Sequence, residues 1–311
     1  MKILLTGCTG QVGHALQQQL RQHPQHELIS LTRQQMDLTQ ADSIRHCIRE
    51  HQPDLLINPA AYTAVDLAED EVELAHQINA HAPAIMAEEM KAINGGLIHF
   101  STDYVFDGSK ASAYTETDQT APLGVYGHSK LAGEQAIQAI NGKNGKHLIF
   151  RTSWVYSDFG KNFLLTMLRL AEQRDELKIV ADQFGAPTHA GFLAKVVTEI
   201  VNKHDLNWQN LSGLYHLTPT GSTSWFGFAQ AIMAGAQQRG ILKKIPQLHG
   251  ITTAEYPLKA PRPHNSRLST ALFQERFAIP MEDWQTSLDD CLDQMRQSTT
   301  QNMQEPRKHL G

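Results

Sequence analysis

Long apolar runs, surplus positive charge and paired cysteines are all scarce in this 311-residue chain, and each scarcity closes off a class of function. No stretch is both apolar and long enough to span a bilayer. The apolar residues 3–6 are too few for a secretory leader before glycines intervene, so a cytoplasmic protein without membrane attachment is expected. Lys and Arg number 27 against 32 Asp and Glu, and a net charge of −5 leaves no basic stripe for nucleic acid. Three cysteines, Cys8, Cys47 and Cys291, are odd in number and lack metal-type spacing, which predicts reduced thiols. The 16 histidines are scattered, with no His-x-x-x-His pair beside an acid, and are expected to be solvated. Neither repeats nor low-complexity segments occur.

What is present begins at once. An apolar strand, Ile3-Leu4-Leu5-Thr6, runs straight into Gly7-Cys8-Thr9-Gly10-Gln11-Val12-Gly13, and a helical pattern follows over 11–22. This G-x-x-G-x-x-G run stands in the strand–turn–helix setting of a dinucleotide fingerprint. Glycines at Gly7, Gly10 and Gly13 allow the tight turn, the close approach of backbone to a pyrophosphate, and helix–strand packing. The free N–H groups at the helix start suit phosphate charge.

Strands are predicted at 3–6, 28–32, 55–58, 97–101 and 148–151, with helices at 11–22, 41–50, 70–93 and 127–140 between them. That alternation predicts an α/β fold, a doubly wound parallel sheet with helices on both faces. Pro83 should kink the long 70–93 stretch or start a second segment in it. Beyond Trp154 the regularity weakens. Thr188 is expected to cap a helix carrying Phe192, Leu193, Val196, Val197, Ile200 and Val201, and 214–217 reads as a strand returning to the sheet. The expected organisation is a nucleotide-binding domain over 1–156 with return segments at about 188–218. A smaller mixed α/β lobe for the substrate follows over about 157–187 and 219–300, and a polar tail over 301–311, with fraying from about 297.

Tyr126 and Lys130 lie four residues apart in Tyr126-Gly127-His128-Ser129-Lys130, a spacing that puts phenol and ammonium on one helix face. A free tyrosine has a pKa of about 10. A neighbouring cation favours the phenolate and brings the group toward the range of a general acid/base. Ser101-Thr102-Asp103 closes the fourth strand, with Thr102 24 residues before Tyr126, where its hydroxyl can meet a substrate carbonyl oxygen and hold the tyrosine in line.

Together these features resemble the extended short-chain dehydrogenase/reductase family. Asn58-Pro59-Ala60-Ala61-Tyr62-Thr63, Ser101-Thr102-Asp103-Tyr104-Val105-Phe106-Asp107-Gly108, Arg151-Thr152-Ser153-Trp154-Val155-Tyr156, Asp182-Gln183-Phe184-Gly185-Ala186-Pro187-Thr188 and Arg262-Pro263-His264-Asn265-Ser266 are similar to its dTDP-4-dehydrorhamnose reductase branch, over residues 1 to about 290. The resemblance implies a Rossmann domain and reduction of the C4 ketone of dTDP-4-dehydro-L-rhamnose by NAD(P)H, the last step of dTDP-L-rhamnose synthesis. It further implies that Tyr126 protonates the C4 oxygen, that Lys130 binds the nicotinamide ribose and lowers the phenol pKa, and that Thr102 orients the tyrosine. Asp103 and Trp154 would contact the sugar. Gly10, Gln11 and Val12 would meet the pyrophosphate, Asp37 and Leu38 flank the adenine, and Ala61, Tyr62 and Thr63 pass beneath the cofactor.

The second strand ends Ser30-Leu31-Thr32-Arg33, without an acid for a ribose 2′-hydroxyl; Arg33 suits a 2′-phosphate, so NADPH is expected in preference to NADH, with NADH still usable. Some members of the branch respond to magnesium at a dimer interface. Position 15 is here Ala15, no acid cluster replaces it, and Asp103, Glu116 and Asp118 lack close pairing, so no metal is expected and both monomer and homodimer stay open. A sugar-nucleotide dehydratase would place a second carboxylate after Asp103, where Tyr104 stands. A 4-epimerase would keep its cofactor bound without net redox. The rival from another class is a non-catalytic NADP-binding regulatory subunit like the methionine adenosyltransferase β-subunit.

Overall fold

The computed structural model describes residues 1–142, 145–203 and 208–304, with side chains described as far as residue 297. Six strands form one sheet: β1 (Lys2–Leu5), β2 (Glu27–Ser30), β3 (Leu55–Asn58), β4 (Gly96–Thr102), β5 (His147–Thr152) and β6 (Gly213–His216). Every pairing is parallel, in the order β6-β5-β4-β3-β1-β2. The longer helices are α1 (Gln11–Leu20), α2 (Ala41–His51), α3 (Ala82–Ala92), α4 (Val125–Asn141), α5 (Phe163–Gln173), α6 (Ala190–Lys203), α7 (Trp225–Gln238), α8 (Ala271–Phe277) and α9 (Trp284–Gln304).

The strands are continuous apolar runs because both of their faces are covered. Alternate residues go to opposite sides. Ile3, Leu5, Leu55, Ile57, Ile98, Phe100, Leu148 and Phe150 pack with α1, α6 and α8. Leu4, Leu56, Leu97 and Ile149 pack with α2, α3 and Ile137 of α4. A separate core is built by Leu164, Leu168, Leu177, Phe228, Ile232, Trp284 and Leu292 from α5, α7, α9 and the strand pair Glu176–Val180 with Gln247–Ile251. The doubly wound parallel sheet with a smaller mixed lobe is therefore as the alternation predicts.

As expected, Pro83 starts a second segment in the 70–93 stretch: Val72–His76 passes through a π-helical turn, Gln77–His81, into α3, where Pro83 stands at the start. Proline needs no N–H partner in a first helical turn. Three expectations need correction. Thr188 does not cap α6, because its hydroxyl donates to Ala186 O within a short strand, Thr188–His189. The histidines are not all solvated: His99, His147, His189 and His216 are buried. Finally, α9 runs to Gln304, past the start expected for the tail, and 305–311 lie outside the described residues.

Candidate active site

A crevice of about 500 Å³ opens beyond the carboxyl ends of β1, β3 and β4. Strand order reverses between β1 and β3, the place where open parallel sheets take ligands. The glycine loop forms its floor. A Cβ on Gly13 would stand 2.0 Å from Gly7 O, so only glycine lets α1 start this close to the turn. The first α1 bond runs from His14 N–H to Gly10 O (2.8 Å), which leaves the N–H groups of Gln11, Val12 and Gly13 for a ligand. The glycine loop is therefore a cradle that fits a pyrophosphate.

Of the residues expected to hold a cofactor, Gly7, Gly10, Gln11, Val12, Gly13, Arg33, Asp37, Leu38, Ala61, Thr63, Tyr126 and Lys130 all line this crevice. Arg33 is exposed and has no hydrogen-bond or ion-pair partner among the described residues. The Asp37 carboxyl is held below its usual range by the N–H and hydroxyl of Thr39. Tyr62 does not line the wall: its backbone is clasped by Asn79 and its phenol donates to Glu71 (2.7 Å). The π-helical turn makes that clasp possible, since Asn79 also donates to Ser129 of α4 and so ties the 60–63 loop to the Tyr126 helix.

Tyr126 stands in the first turn of α4, partly buried, with its ring edge-on to Tyr104 at 5.4 Å. A Cβ on Gly127 would meet Tyr104 O at 2.2 Å, so the glycine after the tyrosine is what lets α4 cross this backbone. Burial pushes the phenol up to about 12, opposed by a hydrogen bond with Thr102. The Asp103 carboxylate adds to the rise. The Lys130 ammonium, expected to lower the phenol pKa, is turned to the sheet, donating to Phe100 O (2.6 Å) and lying 3.2 Å from His99 Nε2. Burial lowers Lys130 to about 8, against the pull of Glu134.

Thr102, Asp103 and Trp154, expected at the sugar, do not line the dinucleotide crevice, although Thr102 touches Tyr126 from beside it. Thr102 donates to Asp103 Oδ1 (3.0 Å), and burial lifts the Asp103 carboxyl to about 6, with Oδ2 unpartnered. Trp154, at a positive φ of 49°, stacks face to face on Trp225 of α7 at 3.7 Å. Glu116 accepts from the His216 N–H, and Asp118 pairs with Lys110, so neither joins Asp103 in a site.

Sequence reasoning missed several wall residues. Thr152, whose hydroxyl is buried without a partner, ends the fifth strand and was reachable by the rule that ligands sit at the carboxyl ends of strands. Lys161 enters from the loop before α5, and only the third dimension brings it there: Gln11 Oε1 accepts from Ser157 Oγ (3.1 Å) and Asn162 Nδ2 (2.9 Å), pulling that loop over the glycines. Among the described residues no group of three or more His, Cys, Asp or Glu could hold a metal, and no helix is long and apolar enough to cross a membrane.

Comparison with known proteins agrees with this geometry. The profile of a family described as the RmlD substrate binding domain matches residues 1–297. A dTDP-4-dehydrorhamnose reductase of Escherichia coli K12 is 44% identical over 303 residues, covering 96% of this chain and 99% of that one. Among solved structures, a dTDP-4-dehydrorhamnose reductase of Clostridium acetobutylicum superposes with a TM-score of 0.87 at 35% identity, covering 95% and 100% of the two chains. That of Bacillus anthracis, solved in complex with NADP, gives 0.86 at 33%, covering 94% and 99%.

Proposed function

The chain belongs to the RmlD substrate binding domain family, and on that premise we propose that it reduces the C4 ketone of dTDP-4-dehydro-L-rhamnose to dTDP-L-rhamnose with NADPH. The observation that carries this reading is the placing of Tyr126 and Lys130 in the wall of the crevice that the glycine loop floors. When bound there, the reduced nicotinamide supplies the hydride.

The chain's own residues do the rest. N–H groups of Gln11, Val12 and Gly13 receive the pyrophosphate, Asp37 and Leu38 flank the adenine, and the 61–63 loop lies beneath the dinucleotide. Lys130 reaches the nicotinamide ribose. Tyr126, kept protonated by its burial, gives its proton to the C4 oxygen as the alcohol forms, with Thr102 holding the phenol in line. Asp103 and Trp154 border the deoxysugar, and the lobe built on α5, α7 and α9 takes the nucleotide portion. We assign no metal role and leave the active unit as monomer or homodimer.

The direct test mixes purified protein, NADPH and enzymatically made dTDP-4-dehydro-L-rhamnose and follows the loss of NADPH absorbance. A protein that binds NADPH but never oxidises it with this sugar would be a regulatory subunit instead. Arg33 supplies a second check. Arg33→Ala is expected to raise the Kd for NADPH by about tenfold and to leave that for NADH within about twofold, since one charge-assisted contact to the 2′-phosphate is lost. Equal weakening of both cofactors, measured by fluorescence titration, would remove Arg33 from that role.

A further inference from the structure

Behind the crevice wall a file of buried polar side chains runs from Lys130 through three residues that the reaction above does not use. Lys130 Nζ lies 3.2 Å from His99 Nε2, His99 Nδ1 lies 3.0 Å from Asn58 Nδ2, and Thr6 Oγ1 donates to Asn58 Oδ1 at 2.6 Å. None of the four is more than 2% exposed. They come from α4, β4, β3 and the residue after β1, so the file crosses the sheet beneath the cofactor floor.

Resting on the role given to Lys130 above, we propose that His99 is a positioning residue that holds Lys130 in both of its protonation states by exchanging which ring nitrogen carries hydrogen. The hydrogen-bonding inventory requires this. Burial and the neighbouring Lys130 keep the imidazole neutral, so it has one N–H and one lone pair. With the Asn58 nitrogen facing Nδ1, that atom accepts, and Nε2–H points at Lys130, an arrangement that suits a neutral amine with a lone pair. An ammonium has three N–H groups and no lone pair. Nε2 must then accept, Nδ1 must carry the hydrogen, Asn58 must present its oxygen by an isosteric half-turn of the amide, and the Thr6 hydroxyl must rotate from donor to acceptor of the amide N–H. From ammonium to amine one proton leaves Lys130 for solvent through the crevice it lines. The imidazole exchanges Nδ1–H for Nε2–H and stays neutral, and no other group changes charge.

Both states are visited, because burial lowers the Lys130 amine to about 8. The charged and titratable groups that act on it are Glu134 from its own helix, which is paired to Arg151 of β5, and His99 from β4. Phe100 O accepts from the ammonium but has nothing to donate to the amine, so only His99 can follow the change.

The test uses full-length protein labelled with 15N-histidine. Long-range proton–nitrogen spectra are recorded from about pH 6.5 to about pH 9.5, with the His99 signals identified by their loss in His99→Gln. The expected result is a neutral ring throughout that passes from Nδ1–H to Nε2–H across the Lys130 titration. A fixed tautomer, or an imidazolium at the acid end, overturns the proposal. No sugar or turnover is involved, so failure here leaves the reductase reading standing, and absent turnover with the tautomer exchange present strikes only that reading. A kinetic arm uses the alkaline limb of kcat/KM. His99→Phe should move it down by about one pH unit, about a tenfold loss on the limb, and His99→Gln, which keeps an acceptor for the ammonium, should recover most of it. Identical limbs in all three proteins also overturn the proposal.

Discussion

Tyr126→Phe should cut turnover of dTDP-4-dehydro-L-rhamnose by about 10²–10⁴-fold, the range a positioned general acid supplies, and leave the NADPH Kd within a few fold. The phenol lies in the crevice wall, pushed up to about 12 by burial, so it is protonated at any working pH and available as a donor. Phenylalanine keeps the edge-on contact with Tyr104 and removes only the hydroxyl. Steady-state rates under saturating NADPH, with the Kd measured separately by fluorescence, separate the two effects. A variant retaining more than about a tenth of wild-type turnover would mean that the C4 oxygen takes its proton from another group.

The second large effect concerns stability. Glu134, two turns beyond Tyr126 and one beyond Lys130, forms a two-pronged buried pair with Arg151 (2.6 and 2.9 Å) and also accepts from Ser101 Oγ. Both side chains are almost wholly buried, at 5% exposure for Arg151 and 1% for Glu134. Removing one partner strands the other charge, so Glu134→Ala should cost about 3–5 kcal/mol and lower Tm by on the order of 10 °C. The pair pins α4 to β4 and β5, which sets the height of Tyr126 over the crevice. Its loss should therefore lower kcat more than it weakens NADPH binding. Glu134→Leu combined with Arg151→Leu should recover part of the stability, because no unpaired charge remains. Thermal unfolding followed by circular dichroism measures both. A loss under about 1 kcal/mol for the single variant would show that the stranded guanidinium finds water or another acceptor.

How much of this was legible beforehand depends on how local each signal is. The glycine turn and the Tyr126–Lys130 spacing are contained within a few residues, and both lie in the crevice. The sheet was legible because its strands are covered on both sides and so read as unbroken apolar runs. The break at Gln77–His81 was not, because Asn79 is pulled out of helical register by partners 17 and 50 residues away, Tyr62 and Ser129. Nor was the direction of Lys130. Spacing on a helix says that two side chains share a face, but the acceptors that claimed its ammonium, Phe100 O and His99, belong to a strand. The burial of His99 went unseen for the same reason: a histidine among scattered histidines carries no periodic mark.

The two cores are also threaded together. The backbone leaves the sheet-side core after Val155, contributes Tyr156 through Ile179 to the other, returns for Phe192–Leu217, departs for Phe228–Leu242, comes back for Phe273–Met281, and ends in the second core from Trp284. A protease nick at any of the three crossings between Ile179 and Phe273 yields two pieces that each own part of both interiors, so a clipped molecule should stay assembled. The lobes are laced rather than hinged, and neither could be bred or borrowed as a cassette by cutting at one point.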